Sequence, residues 1–143
     1  DDFTYGESML TGEGITGRAK ALAMSGGMAS AMGIAAFGPS RRLLGKVLPE
    51  PGEGPSPEAQ EAGYYDLRFH GATAGGDEII VQVTGDRDPG YGSTAKILAE
   101  AATTMMHSEA DGGFWTPATA LGDPFIDALL EHAGLTFEVL DDD

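Results

Sequence analysis

Twelve residues, Gly85 to Lys96, hold the side chains best suited to gripping a ligand: Arg87, Tyr91, Ser93 and Lys96, set among Gly85, Gly90 and Gly92. A guanidinium grips a carboxylate or phosphate through two parallel hydrogen bonds, and Tyr91 adds a hydroxyl beside it. An apolar run, Ile79 to Val83, precedes these residues. A helical pattern follows, with Ile97, Leu98, Ala101, Ala102 and Met105 at positions that share one face. The glycines therefore fall where a strand passes into a helix. Backbone N–H groups at a helix start are unpaired and partly positive, so Gly90, Gly92, Ser93 and Lys96 are candidates for holding an anion. Two quieter readings compete: Arg87 pairs internally with Asp86, Asp88 or the acidic second half, and Lys96 is simply solvated.

Two nucleotide signatures overlap this stretch. Gly90-x-Gly92-x-x-Ala95 matches the dinucleotide fingerprint as a string. Five residues separate the strand from its first glycine, however, and no acid closes a second strand about 20 residues on. Gly85-x-x-x-x-Gly90 begins like a phosphate loop, but Tyr91 stands where lysine is required. Neither signature makes this chain a cofactor binder.

Other chemistry is thinly supported. With no cysteine, disulfides, thiolate metal sites and thiol catalysis are excluded. His70, His107 and His132 lack the spacing of a metal pair, so no metal is expected. Ser25, Ser56 and Ser93 lack a nucleophile elbow. Trp115 reads first as core, or else as the wall of a pocket in the loop Gly112-Gly113-Phe114-Trp115-Thr116-Pro117.

The elements that must position these residues come from a chain of 143 residues, enough for one domain with a real core. Tyr65, Leu67 and Phe69 alternate with Asp66, Arg68 and His70, the period of a half-buried strand. A glycine turn from Thr73 to Asp77 returns the chain into 78–84, predicting an antiparallel hairpin with the second strand central. Leu135, Phe137 and Val139 alternate as a last strand. Gly122-Asp123-Pro124 reads as a helix start capped by Asp123, with Gly134 at its end. The fold predicted is α+β: an antiparallel or mixed sheet of 64–71, 78–84 and 135–140, with helices mainly on one face.

The first third is different. Residues 1–14 are poorly defined, with a short edge strand expected around Phe3 and Tyr5. From 15 to 37 the chain is rich in Ala, Met and Gly, and Ala21 to Phe37 carries no charge. A helix is predicted, held by packing because its glycines cost about 1 kcal/mol each. Gly26 and Ser30, Gly27 and Ala31, and Ala29 and Gly33 are small residues spaced for close helix approach. A buried or dimer-facing helix is favoured over a bilayer span. Gly38-Pro39 ends it, and Ser40 is expected to cap a short helix through Leu44 and Val47. The Pro- and Gly-rich stretch 48–58 reads as a rigid surface loop or lid, with a helical turn from Ser56 before Gly63.

Charge narrows the partners. Eight Lys and Arg against 23 Asp and Glu give −15, which argues against nucleic acid. After Lys96 no cation occurs, and ten acids run from Glu100 to an acidic tail at 141–143. A solvated acidic surface is the plain reading; a basic partner domain is the sharper one. No secretory segment opens the chain, so the cytoplasm is expected. It begins at Asp1, without Met, which reads as a piece of a longer protein.

Three stretches resemble saccharopine-dehydrogenase-like oxidoreductases, including their trans-acting enoyl reductase branch. They are Leu48-Pro49-x-Pro51-Gly52-Glu53-Gly54-Pro55-Ser56 with Glu58; Gly85-Asp86-x-Asp88-Pro89-Gly90-Tyr91 with Thr94 and Lys96; and Gly112-Gly113-Phe114-x-Thr116-Pro117-Ala118 followed by Gly122. The resemblance covers about Pro39 to Phe137 and implies a carboxyl-terminal substrate-binding and dimerisation domain. An N-terminal Rossmann domain, absent here, would carry NAD or NADP and be this portion's partner. On that reading the chain binds no cofactor itself, is a homodimer, and uses Arg87, Tyr91 and Trp115 to hold a small-molecule substrate. It transfers no catalytic residue. The alternative from the residues alone is a non-catalytic association module built on the helix 15–37, and a third is peripheral membrane attachment through it.

Overall fold

Strict alternation builds the sheet, because a period of two sends successive side chains to opposite faces. The computed structural model describes residues 3–46, 48–50 and 52–140. Its elements in order are α1 (Gly14–Ala36), α2 (Gly38–Leu44), α3 (Pro57–Ala62), β1 (Tyr65–Ala72), β2 (Glu78–Gly85), α4 (Gly92–Met105), α5 (Pro117–His132) and β3 (Leu135–Leu140). The architecture is α+β, as expected, and the sheet is antiparallel in the order β1-β2-β3, with β2 central. The β1–β2 turn closes where Gly76, at φ +92°, donates its N–H to the Thr73 carbonyl at 3.1 Å.

Register decides the faces. Tyr65, Leu67 and Phe69 lie beside Gly85, Val83 and Val81, which in turn lie beside Leu135, Phe137 and Val139. These share the apolar face. The other face carries polar pairs: Gln82 donates to Asp66 at 2.9 Å, and the Thr84 and Thr136 hydroxyls meet at 2.6 Å.

The chain divides into two compact units, Asp1–Glu53 and Gly54–Asp143. In the second, Leu121, Phe125 and Leu129 recur every four residues and so share one face of α5. That face packs on Leu135 and Ala101, with Ala133, Ile97 and Phe137 around it. Each large side chain buried this way stabilises the fold by about 1.5–3 kcal/mol. The buried stripes are narrower than expected. On α4, Ile97 and Ala101 turn inward while Leu98, Ala102 and Met105 stay exposed; on α5, Ile126 and Leu130 stay exposed. Two helices in one layer cover only the Leu135 end of the sheet, leaving Phe69, Ile79 and Val139 open.

α5 is two helical segments joined across a break. Thr116 caps the first: its Oγ1 accepts from the Thr119 N–H at 3.3 Å, and Pro117 opens it. At Gly122, with φ +56° and ψ −143°, the helix breaks, and the second segment starts at Asp123-Pro124 as the sequence predicts, where Pro124 needs no backbone donor; a side-chain cap bond from Asp123 is not among those formed by the described residues. Gly134, at φ +73°, follows the last helical turn as expected.

In the first unit α1 and α2 meet at a bend of 109°. No single helix among the described residues is long and apolar enough to cross a membrane. Ser40 is not a cap, which corrects the sequence reading. It lies within α2, where its Oγ is 2.6 and 2.9 Å from the Ile34 and Phe37 carbonyls, which also accept the backbone N–H groups of Phe37 and Arg41. The expected extension to Val47 falls outside the described residues. Of the two readings of α1, buried or dimer-facing, the first does not hold within this chain: among its residues only Gly17 is buried. Residues 3–12 take no regular structure, so the edge strand at Phe3 and Tyr5 is not formed; a strand needs a neighbour for its backbone groups. Described residues of the 48–58 loop are irregular up to Ser56, with Pro51 outside the description. Ser56 then caps α3, accepting from the Ala59 N–H at 3.2 Å.

Candidate functional site

The six-residue connection Asp86–Tyr91 enters α4 through its own carboxylate. Asp88 Oδ2 accepts from the Tyr91 N–H at 2.7 Å and the Gly92 N–H at 3.3 Å, and the Asp88 carbonyl accepts from Ser93 at 2.8 Å. The Tyr91 N–H, aided by those of Gly92 and Gly90 and opposed by some desolvation, holds the Asp88 carboxyl below its usual range. A charge of this chain therefore already stands at the helix start where the sequence invites an external anion. The signal was present as Asp88-Pro89-Gly90, a turn-forming run whose Asp side chain bonds backbone N–H groups ahead of it.

Close backbone packing fixes this connection. A side chain on Gly63 would run into the Asp88 backbone, one on Gly85 into the Tyr65 ring, and one on Gly134 into the Asp86 carboxylate. Backbone bonds reinforce it: Asp88 donates to Gln60 at 2.9 Å and Asp86 to Gly134 at 3.3 Å. Ser93 is buried, and its hydroxyl meets that of Tyr65 at 2.8 Å. The end of α3, the start of β1, the end of β2, the start of α4 and the turn into β3 thus converge on one corner of the sheet.

Within that corner Arg87 pairs with Glu61 of α3, its Nη1 3.6 Å from the carboxylate, rather than with its neighbours Asp86 or Asp88. The Arg87 Nε–H is buried and has no partner among the described residues. Tyr91 is exposed, its ring against Gly54, where a Cβ would lie 3.4 Å away. Lys96 is not free in solvent. Its Nζ reaches Asp86 at 3.5 Å and the Ala133 carbonyl, at the end of α5, at 3.4 Å.

Trp115 sits elsewhere, on the α4–α5 connection. Its Nε1 donates to the Asp111 carbonyl at 3.2 Å, and it is largely exposed rather than core. With Ala110, Asp111, Thr119 and Ala120 it walls a shallow depression of about 290 Å³. A neighbouring one of about 340 Å³, sharing Ala120, is lined by His107, Ser108, Glu109 and Pro124 among others. Arg87 and Tyr91 line neither. The structure therefore gathers Arg87, Gly90, Tyr91, Gly92, Ser93 and Lys96 at the β2–α4 corner and sets Trp115 apart.

Such a corner can bind and orient an oxygen-bearing group; it assembles no nucleophile and base. Among the described residues no cluster of His, Asp and Glu could hold a metal ion. Nor does the Gly90-x-Gly92-x-x-Ala95 string lie in a parallel βαβ unit, because β3 returns antiparallel to β2.

No family model and no solved structure matches the chain. It is 32% identical over 140 residues to the trans-acting enoyl reductase of Mycobacterium bovis, covering 93% of this chain and 33% of that protein. A Mycobacterium tuberculosis protein that bears the same name provisionally is 32% identical over 139 residues, 89% of this chain and 32% of its own length. The Mycobacterium leprae trans-acting enoyl reductase is 28% identical over 134 residues, 89% of this chain and 32% of that one. The chain thus spans about a third of the length of the curated relatives it matches.

Proposed function

We propose that this chain is the substrate-binding and dimerisation portion of a saccharopine-dehydrogenase-like, NAD(P)-dependent oxidoreductase that reduces an enoyl group in the cytoplasm. The observation that carries the reading is the 32% identity, over about nine-tenths of the chain, to proteins named trans-acting enoyl reductase. The residues here do not fit a dinucleotide. Asp88 places a carboxylate at the α4 N-terminus, where a pyrophosphate would have to sit, and the sheet is antiparallel. The nicotinamide cofactor is therefore assigned to a Rossmann domain outside these residues, and it supplies the hydride.

This chain supplies position. Glu61 steadies one side of the half-buried Arg87 guanidinium, whose remaining N–H groups would donate to a substrate carbonyl or carboxylate oxygen. The exposed Tyr91 hydroxyl offers a second donor from the same loop. Trp115 and its shallow depression offer an apolar wall for the hydrocarbon part. Holding the reacting group still converts binding into rate.

One experiment tests both halves. NADPH is expected to give no thermal shift with the 143-residue chain and a clear one with a full-length protein containing it. In the latter, Arg87→Gln should raise KM for the enoyl substrate about 10- to 100-fold, the worth of a charge-assisted hydrogen bond, with kcat little changed. A shift in the isolated chain, or an unchanged KM, overturns the assignment.

A further inference from the structure

Three features of the β2–α4 corner attract an anion: the amide groups that open α4, the Lys96 ammonium and the Arg87 guanidinium. Each already meets a carboxylate of this chain. Asp88 Oδ2 accepts from the Tyr91 and Gly92 N–H groups at 2.7 and 3.3 Å. Asp86 Oδ1 stands 3.5 Å from Lys96 Nζ, and Glu61 Oε1 3.6 Å from Arg87 Nη1. With three carboxylates against two cations the corner itself is negative, in a chain whose net charge is −15.

The three carboxylates are held differently. Asp88 is fixed by backbone N–H groups, and the Asp86 carboxylate lies against Gly134. Glu61 comes from α3, which has no buried residue, and its side chain is 70% exposed. It can therefore be changed without opening the core or unseating the turn. A ligand carboxylate that reaches Arg87 must displace Glu61 or crowd beside a like charge. An uncharged carbonyl oxygen does neither, because a guanidinium carries more N–H groups than one carboxylate occupies.

We propose that Glu61 sets the specificity of this corner: by neutralising Arg87 it admits the carbonyl oxygen of an uncharged acyl derivative and turns away a free carboxylate. The inference rests on the function assigned above and narrows the kind of oxygen that Arg87 takes. Water and salt screen an ion pair as open as this one, so the discrimination due to Glu61 is about five- to tenfold.

Competitive inhibition of a full-length protein containing this chain, by hexanoate and by methyl hexanoate, tests this. Neither probe has a double bond to reduce, so the two inhibition constants compare charge without reactivity. Glu61→Gln should tighten hexanoate about five- to tenfold and change the ester less than about twofold, and the gain should shrink as salt rises. Glu61→Asp keeps the charge and should keep the parent's ratio of the two constants. Arg87→Gln should weaken both probes. An unchanged ratio in Glu61→Gln, or Glu61→Asp behaving as Glu61→Gln does, overturns this inference and leaves the substrate-binding role of Arg87 standing. Arg87→Gln without effect on either probe brings down that role and this inference with it.

Discussion

The two units use apolar residues in opposite ways. From Gly54 on, Leu121, Phe125, Leu129 and Leu135 close a core, although seventeen acids stand against three bases. Before Glu53, α1 is longer and free of charge over most of its length, yet it buries only Gly17. Apolar content alone therefore does not decide burial. In α5 the large residues return every four positions and meet a strand and a second helix. In α1 the apolar and small residues are spread around the whole helix, so no single stripe is specified, and no sheet of that unit lies against it.

Core truncation gives the widest contrast. Phe125→Ala should cost about 3–5 kcal/mol in urea unfolding, whereas Met28→Ala should stay within about 0.5 kcal/mol. Comparable losses at the two positions would mean that α1 is covered after all. Glycine substitutions sharpen the same difference and reverse its sign. Gly134→Ala drives a Cβ into the Asp86 carboxylate at φ +73° and should destabilise by about 1–3 kcal/mol. Gly27→Ala meets open space and should raise helix content, stabilising α1 by up to about 1 kcal/mol.

Acid titration separates the units more finely. Asp88, its carboxyl lowered by the N–H groups of Tyr91, Gly92 and Gly90, contributes stability at pH values above its unfolded value of about 3.9. That contribution is lost as pH falls through the depressed folded value. Asp88→Asn should therefore be the less stable protein at neutral pH and converge on the parent in acid, as read by urea midpoints of the second unit. Parallel curves would remove Asp88 as the keeper of the α4 start. Helix content of the first unit should follow neither curve.

Much of the second unit was legible in advance because its signals are local. Alternation from Tyr65 to Phe69 and from Leu135 to Val139, with a glycine turn between the first two strands, specifies a hairpin whatever surrounds it. The candidate site was legible only as a location. Glycines and Arg87 marked the β2–α4 junction, but the partner of Arg87 proved to be Glu61, twenty-six positions earlier and on another element. No spacing rule reaches across a fold. Likewise Gly122-Asp123-Pro124 was legible as a helix start, whereas the segment ahead of it, capped by Thr116 and running into it across the break at Gly122, was not.

Composition and period alone determined the strands, their faces, the long helix and the uneven division of charge, since each follows from neighbours a few positions apart. Tertiary structure decided that Asp88 fills its own helix start, that Trp115 stands apart from Arg87, and that α1 lies open. Those outcomes depend on which distant surfaces meet, and contact between distant residues is set by the sum of packing over the whole fold.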